Sequence, residues 1–105
     1  MKATITWWDL AKSTQTIATL RNSLSNNEVE PWKKIKGLRS KFWVSQAANN
    51  LWGAVMLWES EEYMEQPLPP NLAAELIGYP PTMRLVFEVE ALVGEKYETV
   101  LQKET

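Results

Sequence analysis

A chain of 105 residues with a formal net charge of −2 is long enough for one domain, 1–105, with a single core. The acidic balance argues against nucleic acid or an anionic membrane as a general partner, because both select an excess of basic side chains. The absence of histidine and cysteine excludes Ser-His-Asp and Cys-His catalysis, disulfides, histidine-ligated haem and the usual zinc sites.

Other features narrow the class of protein further. The four glycines are scattered along the chain, so neither a dinucleotide fingerprint nor a phosphate loop is present. The longest apolar run, 51–58, is far shorter than a membrane span, and we expect a soluble protein without an export signal. Without cysteine, the cytoplasm is the default compartment.

The first third of the chain predicts one strand and one helix. Residues 3–8, ATITWW, are rich in β-branched and aromatic side chains, which favour a strand. Ser13 or Thr14 is a suitable N-cap for a helix whose apolar side chains recur at helical spacing up to residue 24. The segment SNNEVEP ends this helix, and Pro31 opens a further turn that Gly37 stops.

The remainder predicts three strands and a second helical region. Strands at 38–46 and 51–58 form a hairpin around AANN, whose asparagines tolerate a left-handed backbone. SEEYMEQ begins a helical segment that PLPP interrupts, and NLAAELI between Pro70 and Gly78 forms a short helix. Residues 82–93 alternate apolar with charged side chains and predict the last strand.

The element order is therefore β, α, β, β, α, β. This order is typical of the α+β ferredoxin-like fold, in which a four-stranded antiparallel sheet carries its helices on one face. Residues 94–105 are polar and are predicted to form a flexible tail.

The hairpin predicts a dimer, because both of its faces are largely apolar. A turn centred between Ala48 and Asn49 places these pairs on one face: Val44 with Gly53, Phe42 with Val55, Ser40 with Leu57. The other face receives these pairs: Ser45 with Trp52, Trp43 with Ala54, Lys41 with Met56, Arg39 with Trp58. Exposing ~400 Å² of apolar surface would forfeit about 10 kcal/mol, comparable to the stability of a small domain. We therefore expect a homodimer that packs sheet face on sheet face.

The hairpin tryptophans and Lys41 leave two interpretations open. Trp43, Trp52 and Trp58 are either ordinary core and interface residues or the wall of a cavity for a flat apolar ligand. An amine at Lys41 beside Trp43 either meets an anionic or carbonyl group or extends to solvent.

Two clusters of charged residues can each be interpreted as a binding site or as ordinary solvated surface. The first is basic and can bind an anion or be solvated: Lys33, Lys34, Lys36, Arg39 and Lys41. The second cluster is acidic and consists of Glu59, Glu61, Glu62 and Glu65. These carboxylates can bind a metal or can simply complement the dipole of a helix that begins there. We expect no metal. The proline-rich segment 65–81 either fixes loop geometry, binds a partner or covers a pocket.

Three segments resemble a known family. GLRSKFWV at 37–44, WGAVMLWESEEYM at 52–64 and LVFEVEALV at 85–93 look like the strands of the YdhR-type monooxygenases, which belong to the dimeric α+β barrel superfamily and are related to the antibiotic biosynthesis monooxygenases. The resemblance implies a homodimeric barrel with a hydrophobic pocket in each subunit. It also implies oxygenation of an aromatic substrate by O₂ without a cofactor. Trp58 and Glu59 match the family at the strand-to-helix junction, whereas its helical histidine has no counterpart here.

These observations give two functional hypotheses. The first is a cofactor-independent monooxygenase acting on a small aromatic or quinone-like molecule, with Trp43, Met56 and Trp58 as the pocket wall. In it, Lys41 stabilises a developing enolate or phenolate, and Tyr63 offers a proton or hydrogen bond. The second is a non-catalytic dimeric protein that holds a small apolar or aromatic ligand in the same pocket.

Overall fold

The computed structural model describes residues 1–94 and 97–101, which contain six strands, three short helices and four 3₁₀ turns. The strands are β1 Lys2–Asp9, β2 Leu38–Gln46, β3 Leu51–Trp58, β4 Met83–Glu88, β5 Ala91–Gly94 and β6 Tyr97–Leu101. The helices are α1 Ile17–Ser23, α2 Asn26–Val29 and α3 Leu72–Ile77. The 3₁₀ turns are Leu10–Lys12, Glu30–Lys34, Ala47–Asn49 and Glu61–Glu65.

Strands β1 to β4 form one antiparallel sheet in the order β2-β3-β1-β4. The α+β class and the four-stranded antiparallel sheet predicted from the sequence are confirmed, and the strand order is compatible with the ferredoxin-like arrangement. β2 and β4 are the edge strands. The 3₁₀ turn Glu30–Lys34 packs against the edge strand β2.

The hairpin has the predicted bounds and almost the predicted register. Each pair from Ser40 with Leu57 to Ser45 with Trp52 is confirmed. Asn50 has φ 54°, the left-handed conformation expected of a turn asparagine. The pair of Arg39 with Trp58 is wrong, because Trp58 pairs with Leu38 and the register shifts between Leu38 and Ser40. The shift is a β-bulge at the start of β2.

Two helical predictions need correction. The N-cap of α1 is Thr16, because Thr16 and Thr19 exchange side-chain hydrogen bonds with each other's backbone N–H in a capping box. Ser13 instead accepts a bond from the Gln15 N–H and donates one to the Ile77 carbonyl. The segment SNNEVEP follows the end of α1, as predicted, but it also contains the short helix α2, since the Ser25 carbonyl accepts from the N–H groups of residues 28 and 29.

The second helical region is shorter than predicted. Its first part is only the 3₁₀ turn Glu61–Glu65, with Ser60 before it. Helix α3 is capped by Asn71, whose side chain accepts from the Ala74 N–H, and it ends at Gly78 with φ 92°.

The predicted strand 82–93 is divided in two. β4 ends at Glu88, and the Val89 N–H bonds to the Met1 carbonyl, where the paired strand β1 begins. Beyond that point the main sheet offers β4 no partner, so β5 pairs with β6 in a separate two-stranded ribbon. Residues 95, 96 and 102–105 of the predicted flexible tail lie outside the described residues, and its mobility stays a prediction.

The sheet has a covered face and an open face. The covered face packs under the helices and 3₁₀ turns and carries these side chains: Thr4, Thr6, Trp8, Lys41, Trp43, Trp52, Met56 and Trp58. Trp8 and Trp52 form the core with Leu10, Leu20 and Ile77. The open face carries these apolar side chains: Ile5, Trp7, Phe42, Val44, Val55, Leu57, Met83, Leu85 and Phe87. Phe42 is 50% exposed and Phe87 is 47% exposed, so this surface has no cover from the described residues.

Candidate functional site

Lys41 lies in the middle of β2 on the covered face, opposite Met56 of β3. Its Nζ is 3.2 Å from the centroid of the Trp32 ring and 4.8 Å from that of Trp43. Trp43 is two residues further along the same strand, so its side chain leaves the same face of the sheet as Lys41. The amine is thus held between two indole rings, an arrangement that stabilises a cation.

The 3₁₀ turn Glu30–Lys34 positions the outer ring of this arrangement. Pro31 stands at the start of the turn, where its fixed φ and missing N–H are tolerated. Trp32 follows and is 8% exposed, so its ring is packed against the edge of the sheet. The bonds from the Ile35 N–H to the Trp32 carbonyl and from the Leu38 N–H to the Ile35 carbonyl then connect the turn to β2.

Two cavities meet at Lys41, and both include Trp32 and Trp43 in their walls. The outer one is an open pocket of about 340 Å³, lined by Val29, Trp32, Lys33, Leu38, Arg39, Ser40, Lys41 and Trp43. The inner one has a volume of about 20 Å³, enough for about one water molecule, and it extends towards Glu28, Trp52 and α3. Of these two cavities, only the outer one has room for a ligand of more than a few atoms.

Burial lowers the pKa of Lys41 to about 8, because the amine loses hydration between the two rings. No carboxylate of the described residues forms an ion pair with it. The indole faces replace part of the lost hydration, which explains why a lysine persists at this position. Near neutral pH this amine exists in both protonation states, unlike an exposed lysine.

Of the five predicted site residues, Lys41 and Trp43 line the outer pocket, whereas Met56, Trp58 and Tyr63 do not. Lys41, Trp43 and Met56 are neighbours on the covered face. Trp58 is at the end of β3, 1% exposed, and its indole Nε1 has no hydrogen-bond partner among the described residues. Tyr63 packs against Gly37, and neither it nor Trp58 lines the outer pocket.

Trp32 is the site residue that sequence reasoning missed. The sequence places it after Pro31 in a predicted turn but gives no sign that this turn folds back over β2. Two features of the sequence could have indicated it. A large aromatic side chain in a short turn is usually buried, and the strand that follows carries Lys41 next to the aromatic residues Phe42 and Trp43.

Comparison with known proteins does not add a relative: no protein-family model matches the chain, and no curated protein matches it. Among residues 1–94 and 97–101, no helix is both long and apolar enough to cross a bilayer. The same part of the chain contains no group of three or more acidic side chains able to hold a metal ion.

Proposed function

We propose that the protein binds a small aromatic or quinone-like molecule with an anionic oxygen in the outer pocket. The observation that carries this proposal is the Lys41 amine, which faces an open pocket of about 340 Å³ from between two indole rings. Pockets for small ligands are concave and mostly apolar, with a few polar groups that fix orientation, and their volumes start near 300 Å³.

The lining of the pocket favours this class of ligand. Trp32, Trp43, Val29 and Leu38 supply flat and aliphatic surface, against which an aromatic ring can stack. Three basic side chains line the pocket, and none of the described lining residues is acidic. Lys33 is already paired with Glu30 at 2.8 Å, and Arg39 also has an interaction partner, so Lys41 is the cation best placed to meet the ligand. A neutral or cationic ligand would leave that cation without a counter-charge.

The test is the binding of 2-naphthoate, with uncharged 2-naphthalenemethanol as the matched ligand. We expect Lys41→Met to weaken naphthoate binding about tenfold or more, because a charge-assisted hydrogen bond contributes roughly 1.5–3 kcal/mol. Naphthoate is ionised throughout the neutral range, so its affinity should be highest below pH 8 and fall as the pH rises through the pKa of Lys41. Isothermal titration calorimetry from about pH 6.5 to about pH 9.5 covers both sides of that pKa and measures both effects.

Lys34→Met is the control, since Lys34 is exposed in the same turn and does not line the pocket. This variant should bind naphthoate as the unmodified protein does, and the naphthalenemethanol affinity should not change with pH. An equal loss in both variants would reject Lys41 as the binding group.

A second proposed function is the cofactor-independent oxygenation implied by the resemblance, and the lowered pKa of Lys41 favours it. A neutral amine in the pocket can remove a proton from an anthrone-type substrate, and the resulting ammonium then stabilises the enolate. In the overall reaction, R₂CH₂ and O₂ give R₂C=O and H₂O. The substrate supplies two hydrogen atoms and four electrons. One oxygen atom of O₂ enters the ketone and the other leaves as water.

Oxygen uptake with anthrone tests this second function. We expect a rate above that of buffer that increases as the pH rises through about 8, because the base is the neutral amine. Lys41→Met should reduce the rate to that of buffer, and Lys34→Met should not. Anthrone recovered unchanged from a protein that binds it would leave binding as the function.

We also propose a cytoplasmic homodimer in which the open faces of two sheets pack together as a dimeric α+β barrel. The open face supports this proposal because its large apolar side chains need cover, and an isologous two-fold contact covers both copies at once. From Ala3 to Trp7 and from Gly53 to Leu57, the central strands contribute only uncharged side chains to it, including Ile5, Trp7, Val55 and Leu57. A chain without cysteine is suited to the reducing cytoplasm.

A further inference from the structure

We infer that Lys41 is also a carbonyl-reactive amine, which condenses with small aromatic aldehydes in the outer pocket to form an imine. This inference uses the same pocket as the proposed function but concerns a covalent bond instead of an ion pair. It rests on the position of Nζ, which lies in the wall of an open pocket, next to flat apolar surface that can hold the ring of the aldehyde.

Lys41 differs from the other lysines that the structure describes. Lys12, Lys33, Lys34 and Lys36 are exposed to water, and Lys2 forms an ion pair with Glu88. Only the neutral amine attacks a carbonyl carbon. With its pKa lowered to about 8, Lys41 has a much larger neutral fraction near neutral pH than an ordinary lysine with a pKa near 10.4.

The charged groups around Lys41 are compatible with this chemistry. Lys33 of the 3₁₀ turn and Arg39 of β2 line the outer pocket, and Glu28 of α2 lines the inner cavity. Burial is what lowers the pKa of Lys41, and neighbouring cations do not oppose that shift. Glu28 forms no ion pair with Lys41 and so does not hold the amine in its charged form.

The reaction is balanced without a further reagent. The lone pair of Nζ adds to the aldehyde carbon, and a proton moves from nitrogen to oxygen to give a carbinolamine. Loss of that hydroxyl with the second nitrogen proton releases one water and leaves the imine, so that R–NH₂ and O=CH–Ar give R–N=CH–Ar and H₂O. Protonation of the imine places a cation where the ammonium was, between the same two rings.

The probe is 2-naphthaldehyde, which has the shape of 2-naphthoate without its charge. The full chain is incubated with it at neutral pH, and cyanoborohydride reduces each imine to a stable secondary amine. Peptide mapping by mass spectrometry then gives the extent of labelling at each lysine. We expect labelling at Lys41 to exceed that at Lys12 and Lys34 at least tenfold, and 2-naphthoate to suppress the labelling at Lys41 alone. Even labelling across these lysines would overturn the inference.

Two variants separate this inference from the proposed function. Lys41→Arg keeps the positive charge and cannot form an imine, so it should still bind naphthoate while position 41 remains unlabelled. Lys41→Met should lose both, with an unchanged circular dichroism spectrum as evidence of folding. If naphthoate binds through Lys41 but labelling is even, the imine inference is wrong and the proposed function stands. If Lys41 is labelled selectively but naphthoate does not bind, the proposed function is wrong and the inference stands.

Discussion

Replacement of Leu85 by aspartate is expected to convert the protein from a dimer to a monomer. Leu85 stands on the open face in the edge strand β4, where it is 37% exposed. In the proposed dimer, a two-fold axis brings this side chain of each copy into the contact, so a single substitution places two carboxylates there. Burying an unpaired charge costs several kcal/mol, and the two like charges also repel.

Leu68→Asp is the matched control for this substitution. Leu68 is 40% exposed and lies in the loop before α3, outside the strands, so it undergoes the same chemical change at nearly the same exposure. Light scattering after size exclusion at low micromolar concentration should give twice the chain mass of 12.1 kDa for the unmodified protein and for Leu68→Asp. Leu85→Asp should give the chain mass. A single species of 12.1 kDa for the unmodified protein would reject the dimer and the barrel with it.

The hairpin shows how far sequence reasoning reaches in this protein. Its bounds and most of its register follow from the AANN turn, because the two-residue period then fixes which side chains share a face. The bulge at Arg39 has no local signal, since it depends on how Gly37 and the preceding turn join the strand. The end of β4 was also not predictable from the local sequence, because it is determined by where its partner strand β1 begins.

The candidate site divides in the same way. The adjacency of Lys41, Trp43 and Met56 was predictable, because it follows from strand alternation and cross-strand pairing. The position of Trp32 over Lys41 was not, since it depends on the path of the chain between α2 and β2. The position of Tyr63 was not predictable either, since the chain forms only a 3₁₀ turn after β3 and the ring packs against Gly37.

Gly37→Ala is expected to destabilise the protein by about 3 kcal/mol or more. Gly37 has φ 78°, a left-handed conformation that costs a residue with a side chain roughly 1–2 kcal/mol. A Cβ at this position would also lie 2.1 Å from the Tyr63 Cγ, so the ring would have to move. Displacing a half-buried aromatic ring forfeits up to roughly 1.5–3 kcal/mol more. Urea denaturation monitored by tryptophan fluorescence measures the change.

Two comparisons separate the backbone contribution from the clash. Gly78 has φ 92° with open space around a Cβ, so Gly78→Ala should lose only about 1–2 kcal/mol, the backbone contribution. Combining Gly37→Ala with Tyr63→Ala removes the ring that the new methyl group meets, so the cost of the glycine substitution should fall to that of Gly78→Ala. If Gly37→Ala costs the same with and without the Tyr63 ring, the clash with that ring does not contribute to the destabilisation. Because Gly37 joins the Trp32 turn to the strand that carries Lys41, the single substitution should also weaken naphthoate binding, whereas Gly78→Ala should not.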